Sequence, residues 1–271
     1  MRSIELFQQA LNERRVLKVI AGMSNLDIER VRMILLSAIQ SKATAVDVSA
    51  NEEILSMATK LISEMNSDIT LFASSILPME LATAVNKYHV SAIELGNFDS
   101  LYRQGLTITS ERVLDLVRET LSLIENREEV LFSVTIPGSL EISEQISLAR
   151  ELENLHIDLI QTEGYISEDI KMEGIRGLIN RAELTISNTI ELSHNIELPI
   201  MTASNINTTT AQLAFAAGAS AIACGSCINK LDSELSMRAV ISNLMEIANR
   251  NGIMWTSWMK HSQNIETVSL V

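Results

Sequence analysis

Apolar residues in this chain fall into short, nearly unbroken runs, and the stretches between them carry apolar positions at helical spacing. The runs are Val16-Leu17-Lys18-Val19-Ile20-Ala21-Gly22, Ala45-Val46-Asp47-Val48-Ser49, Ile69-Thr70-Leu71-Phe72-Ala73, Ser91-Ala92-Ile93-Glu94-Leu95-Gly96, Val130 to Ile136 and Ile157 to Glu163. Two more follow in one closing period, Pro199-Ile200-Met201-Thr202-Ala203 and Ala221-Ile222-Ala223-Cys224. Continuous apolar runs of this length predict strands buried on both faces.

Between the runs, Ile28, Val31, Leu35 and Ala38 line one side of a helix, and Ile54, Ala58, Leu61 and Met65 line another. Ser24-x-x-Asp27 and Ser49-x-x-Glu52 read as the capping boxes of these two helices, and Pro78 marks a third helix start. Further helices are expected from Glu141 to Leu155, from Thr208 to Ala217 and from Asp232 to about Arg250, with a short amphipathic one from Ser3 to Arg14. Two long loops are expected, Asn97 to Thr109 and Gly164 to about Arg181, as is a tail from Asn251 that packs on the outside with Trp255 and Trp258.

Eight strand and helix units in strict alternation predict an α/β fold, a (β/α)8 TIM barrel with a short N-terminal helix and a short C-terminal tail. The expected organisation is a single domain over residues 1–271, with the barrel at about 16–250 and the tail at 251–271. An open doubly wound sheet is the alternative, although it usually has fewer strands and no leading helix.

Composition narrows the function classes. The 271 residues are 46% hydrophobic with only three prolines and ten glycines, which describes a buried-core globular chain. No apolar run reaches the roughly 20 residues that span a bilayer. A formal net charge of −13 disfavours nucleic acid and anionic membrane surfaces as partners and favours solubility. The N-terminus, Met1-Arg2-Ser3-Ile4-Glu5-Leu6-Phe7, reads as neither a secretory signal nor a transit peptide, so the protein is expected to work where it is made. Two cysteines build no disulfide framework.

In such a barrel the reactive groups stand at the C-terminal ends of the strands. His89, His156 and His194 precede strands four, six and seven, and His261 lies in the tail, so no histidine catalysis and no metal or other cofactor is expected. Charged residues inside strands are costly against an apolar helix layer and should point into the barrel. Lys18, Asp47, Glu94 and Glu163 are therefore the catalytic candidates: Lys18 for Schiff-base or proton-transfer chemistry, Glu94 and Glu163 as acid and base. The same four groups also suit an unreactive ion-pair network that fills the interior.

The loops after strands seven and eight, Ala203-Ser204-Asn205 and Gly225-Ser226, are candidates for an anion cradle of backbone N–H groups. Asn205 stands where glycine would fit more easily, though Asn tolerates positive φ. Asn97 and Asp99 open the first long loop, which also carries Tyr102 and Arg103. The second long loop carries Tyr165, Lys171, Arg176 and Gly177. Either loop can close over a small anionic, phosphorylated ligand. Cys224-Gly225-Ser226-Cys227 matches Cys-x-x-Cys, but zinc would require a second ligand pair, and Cys224 reads as a small strand residue.

Several stretches resemble a known family. Lys18 within Val16 to Gly22, Glu94-Leu95-Gly96-Asn97-Phe98-Asp99-Ser100, Ser133-Val134-Thr135-Ile136-Pro137, Gln161-Thr162-Glu163-Gly164, Pro199 to Ser204 and Gly225 to Leu231 are similar to the hypothetical chloroplast reading frame family numbered twenty-three. The resemblance spans most of the chain in order. It implies a TIM barrel and a plastid-encoded product, or a cytoplasmic one in a cyanobacterium, and it supplies no reaction.

Overall fold

The computed structural model describes residues 2–102, 105–164 and 173–268. Eight parallel strands, β1 (Val16–Gly22), β2 (Ala45–Ser49), β3 (Thr70–Ser75), β4 (Ala92–Leu95), β5 (Leu131–Ile136), β6 (Leu159–Thr162), β7 (Ile200–Thr202) and β8 (Ala221–Cys224), close in sequence order into a barrel. β1 pairs with β8 through Lys18 opposite Ala223 and with β2 through Lys18 opposite Ala45. The open doubly wound alternative is thereby excluded.

The pleat sorts every strand into two faces. On β1, Leu17, Val19 and Ala21 join the large outer core beneath the helices, whereas Val16 and Ile20 join a smaller core inside the barrel. The outer layer is α2 (Ile28–Gln40), α3 (Glu52–Glu64), α4 (Pro78–Asn86), α6 (Ser110–Leu123), α7 (Ile142–Asn154), α8 (Gly174–Ser193), α9 (Ala211–Ala216) and α11 (Glu234–Val268), with the short turns α5 (Asp99–Tyr102) and α10 (Ser226–Asn229) on the loops.

The leading helix, α1 (Arg2–Asn12), has a structural role that periodicity alone does not reveal. Its apolar side, Phe7, Ala10 and Leu11, is buried with Val16, Phe72, Leu131, Leu159 and Met201 in the interior core. The Phe7 and Phe72 rings lie 5.4 Å apart at 57°, and the Thr70 hydroxyl donates to the Ser3 carbonyl at 2.9 Å. α1 thus stops the end of the barrel at which the strands begin, and any ligand must enter where they finish.

Several boundaries differ from the sequence reading. The caps are Asp27, which accepts from the Arg30 N–H, and Asn51, which accepts from the N–H groups of Glu53 and Ile54, not Ser24 and Ser49. Ser49 is still the last residue of β2. α8 begins at Gly174, so the sixth loop does not reach Arg181; Gly177, read as loop, is buried inside the helix. α9 starts only at Ala211, because Asn207 and Thr210 first satisfy local backbone groups: the Thr209 N–H donates to Asn207 Oδ1 and the Asn207 N–H to Thr210 Oγ1.

The expected tail is instead a continuation of α11. Gly252 lies within the helix against Arg15, where an added Cβ would sit 2.9 Å from the Arg15 Cβ. One turn later the Arg14 guanidinium lies 3.8 Å over the Trp255 ring, tying the helix to the chain before β1.

Phe7→Ala should destabilise the protein by about 3–5 kcal/mol, the range for a fully buried phenylalanine, as read by urea denaturation. A loss below about 1 kcal/mol would mean that α1 does not seal the barrel.

Candidate functional site

The strand charges face inward and three of them meet. Lys18, Asp47 and Glu94 have no exposed surface. Lys18 Nζ donates to Glu94 Oε2 at 2.5 Å and lies 4.9 Å from the Phe72 ring. The same Glu94 oxygen accepts from Ser133 Oγ at 3.2 Å, and its Oε1 accepts from Gln161 Nε2 at 2.8 Å and Asn97 Nδ2 at 3.4 Å. Gln161 also donates to Thr135 Oγ1 at 3.3 Å. A buried carboxylate with this many donors is well held.

Asp47 stands beside the pair and is less well provided. Its Oδ1 accepts from the Ser74 hydroxyl, and its buried Oδ2 has no partner among the described residues. Burial pushes its carboxyl from the ordinary 3.8 up to about 7; Lys18 opposes this push, and the Glu94 charge adds to it.

Glu163 makes a contact of its own at the mouth. It directly follows β6, is 4% exposed, and accepts from the Tyr102 hydroxyl at 2.9 Å. Tyr102 in turn accepts from Ser139 Oγ at 3.4 Å. Loops four, five and six are thereby tied together across the mouth. Burial and the Glu163 charge push the Tyr102 phenol above its usual range.

Backbone constraints place these groups. An added Cβ at Gly96 would stand 2.1 Å from Thr135 Oγ1, so only glycine lets β4 turn this close to β5. Asn97 follows at φ 68, which sends its amide back to Glu94. On β6 and β7 a chain of hydroxyls runs from Thr162 to Thr185 at 2.7 Å and from Thr189 to Thr202 at 2.7 Å, holding both strand ends to α8.

The expected anion loops line the rim. Ser204 and Asn205 are partly exposed and both left-handed, at φ 67 and φ 57, and Asn is one of the few residues that adopts this region readily. Gly225 is partly exposed and Ser226 exposed. A Cβ on Gly225 would lie 3.3 Å from Ile20 Cβ. Asn229 Nδ2 donates to the Ile20 and Ala21 carbonyls at 3.1 and 3.2 Å, and Arg30 Nη2 donates to the Asn229 and Leu231 carbonyls at 2.6 Å each. Loop eight is therefore clamped to the end of β1.

The other candidates are dispersed. His89, His156 and His194 lie before β4, β6 and β7, away from the mouth. Arg176 is exposed on α8. Arg103, Tyr165, Lys171 and the side chains of Asp99 and His261 fall outside the described residues. The Cys224 thiol is pushed up by its hydrogen bond with Cys227 and by burial, while that bond holds Cys227 down. Among the described residues no group of three or more His, Cys, Asp and Glu is placed to hold a metal ion, and no helix is long and apolar enough to cross a membrane.

Sequence reasoning placed Tyr102 only as a loop residue and missed Gln161, Ser74 and Ser133. Uncharged polar residues inside strands were the available signal: Gln161 and Ser133 sit in otherwise apolar runs with the same parity as Glu163 and Thr135.

The family model described as "Protein of unknown function (DUF561)" matches residues 1–253. Two relatives, each called "Uncharacterized protein ycf23", are similar over most of their length. One from Cyanophora paradoxa is 35% identical over 243 residues, covering 89% of this chain and 94% of its own. The other, from Porphyra purpurea, is 34% identical over 226 residues, covering 83% and 82%. Among solved structures, 3-hexulose-6-phosphate synthase has a TM-score of 0.58 at 14% identity, covering 86% of this chain and 99% of its own. (S)-3-O-geranylgeranylglyceryl phosphate synthase from Thermoplasma acidophilum, in complex with sn-glycerol-1-phosphate, has a TM-score of 0.57 at 12% identity, covering 91% and 97%. At such identities these structures share the fold alone.

Two stability outcomes follow from the buried charges. Lys18→Met and Glu94→Gln should each cost about 3–5 kcal/mol, since each leaves one buried group without its partner. The double variant should cost clearly less than their sum in a denaturation cycle, and strict additivity would mean the pair is not coupled. For Asp47 the folded state keeps a proton that the unfolded chain releases between pH 3.8 and about 7. The folded state therefore binds more protons across that window, and the Asp47 contribution to stability is lost as pH rises through it. Asp47→Asn should gain roughly a few kcal/mol relative to wild type between pH 4 and pH 8. Parallel stability curves would show that Asp47 titrates alike in the folded and unfolded states across this range.

Proposed function

This chain belongs to the family described as "Protein of unknown function (DUF561)", and we propose that it binds a small phosphorylated or otherwise anionic metabolite at the C-terminal face of its barrel. The observation that carries this reading is a charged floor under a polar rim. Lys18, Asp47 and Glu94 form the floor, and the partly exposed Ser204, Asn205, Gly225 and Ser226 form the rim, opposite an end plugged by α1. Left-handed backbone at Ser204 and Asn205 turns main-chain groups in a way suited to an oxyanion. The barrel solved with sn-glycerol-1-phosphate accommodates such a molecule in another protein of this fold, and the name 3-hexulose-6-phosphate synthase gives a second fold relative a phosphorylated compound. The names of the algal relatives support a plastid setting.

The chemistry we propose for this site is metal-independent lyase or isomerase chemistry. Glu163 at the mouth serves as acid or base with Tyr102 orienting it, and Lys18, Glu94 and Asp47 form the charged floor. A second reading, a non-catalytic binding barrel, is favoured by one observation: Lys18 and Glu94 are paired with each other and have no exposed surface.

Calorimetry with inorganic phosphate should show binding that Ser226→Glu weakens at least tenfold by placing a like charge at the rim. No heat with phosphate or with any phosphorylated metabolite would sink the anion reading. A metabolite panel followed by NMR separates the two chemical readings. Catalysis predicts a conversion that Glu163→Gln slows about 10²–10⁴-fold with binding retained; the binding barrel predicts no conversion by wild type.

A further inference from the structure

The hydrogen bonds inside the barrel leave a specific remainder. Glu94 is fully engaged, with Lys18 and Ser133 on one oxygen and Gln161 and Asn97 on the other. Asp47 Oδ2 and Gln161 Oε1, both buried, have no hydrogen-bond partner among the described residues. Lys18 donates to Glu94 and otherwise faces the Phe72 ring at 4.9 Å, although an ammonium carries three N–H groups. The remainder is thus two oxygens, on β2 and β6, and N–H groups of the Lys18 ammonium.

Few ligand groups match that set. Where Asp47 is ionised, above about pH 7, a carbonyl or carboxylate satisfies only the ammonium, and an alkyl chain satisfies nothing. A hydroxyl can donate to Asp47 or Gln161 and accept from Lys18, and two acceptors on different strands ask for more than one hydroxyl.

The distance to the rim limits the length. Lys18 is level with Ala223 in the β1–β8 ladder, and Gly225 lies two residues further along, about 7 Å at the rise of a strand. A chain of about three to five carbons spans that gap.

We propose that the ligand is a polyhydroxylated phosphate ester of about this length, its phosphate on the loops after β7 and β8 and its hydroxyls on Asp47, Gln161 and Lys18. The proposal rests on the anion-binding reading above and adds the identity of the other end. Because the floor has no exposed surface, groups above it must move for the ligand to reach it.

The test is calorimetry on the full chain with ethyl phosphate, glycerol 3-phosphate, ribitol 5-phosphate and unphosphorylated ribitol. The better polyol phosphate should bind at least tenfold tighter than ethyl phosphate. In Asp47→Ala or Gln161→Met that ratio should fall toward one, provided the variant's circular dichroism is native. If a variant does not fold, the wild-type series decides alone. Ethyl phosphate binding as tightly as both polyol phosphates would overturn the proposal and leave the anion site standing, the result expected if buried water occupies the floor. Ribitol binding as tightly as its phosphate would support the hydroxyl floor and remove the anion reading. Binding of no probe would remove both.

Discussion

A lysine and a glutamate enclosed in a barrel interior stay charged only if the surrounding strands supply what water would have supplied. Lys18 and Glu94 come from β1 and β4 and meet across the interior, where Ser133 and Gln161 complete the carboxylate. Moving either charge out of water costs several kcal/mol, so the pair persists because its geometry and its additional donors offset that loss. Much else depends on this arrangement. It requires β4 to approach β5 at Gly96, it fixes the Asn97 amide toward Glu94, and it sets beside the buried Asp47 one charge that opposes its proton and one that favours it.

The interior is also asymmetric along its axis. Near the strand starts it is apolar, filled by Phe72, Leu131, Leu159 and Met201 and sealed by Phe7 from α1. Toward the strand ends it becomes polar, and the loops carry Asn97, Ser139, Ser204 and Asn205 with partly exposed surface. A seal at one end and a polar rim at the other leave a single direction of approach. The Tyr102 hydroxyl on Glu163 spans that approach and links loops four and six. The barrel therefore combines a buried charged floor with a mouth across which Tyr102 joins Glu163 and Ser139.

The rim is held by backbone geometry more than by charge. Two consecutive left-handed residues at Ser204 and Asn205, the close approach of Gly225 to Ile20, and the Arg30 and Asn229 clamps all position main-chain atoms. Cys-x-x-Cys falls in the same loop, and its first thiol is buried in the outer core.

Alternation of apolar runs with helical spacing was enough to read eight strands and the closed (β/α)8 order, because burial on both faces leaves a continuous apolar signal that polar loops interrupt. The inward direction of Lys18, Asp47 and Glu94 was legible for the same reason, since a charge among apolar neighbours must avoid the helix layer. Helix ends were read less well: Asp27 and Asn51 rather than Ser24 and Ser49 cap, because several residues near each start are competent and the chain path selects one. The role of α1, which of the inward charges pair, and the Tyr102–Glu163 contact were not legible. Each joins residues far apart in the chain, such as Lys18 with Glu94 and Tyr102 with Glu163. Local pattern determined which residues face inward; only closure of the barrel decided which of them touch.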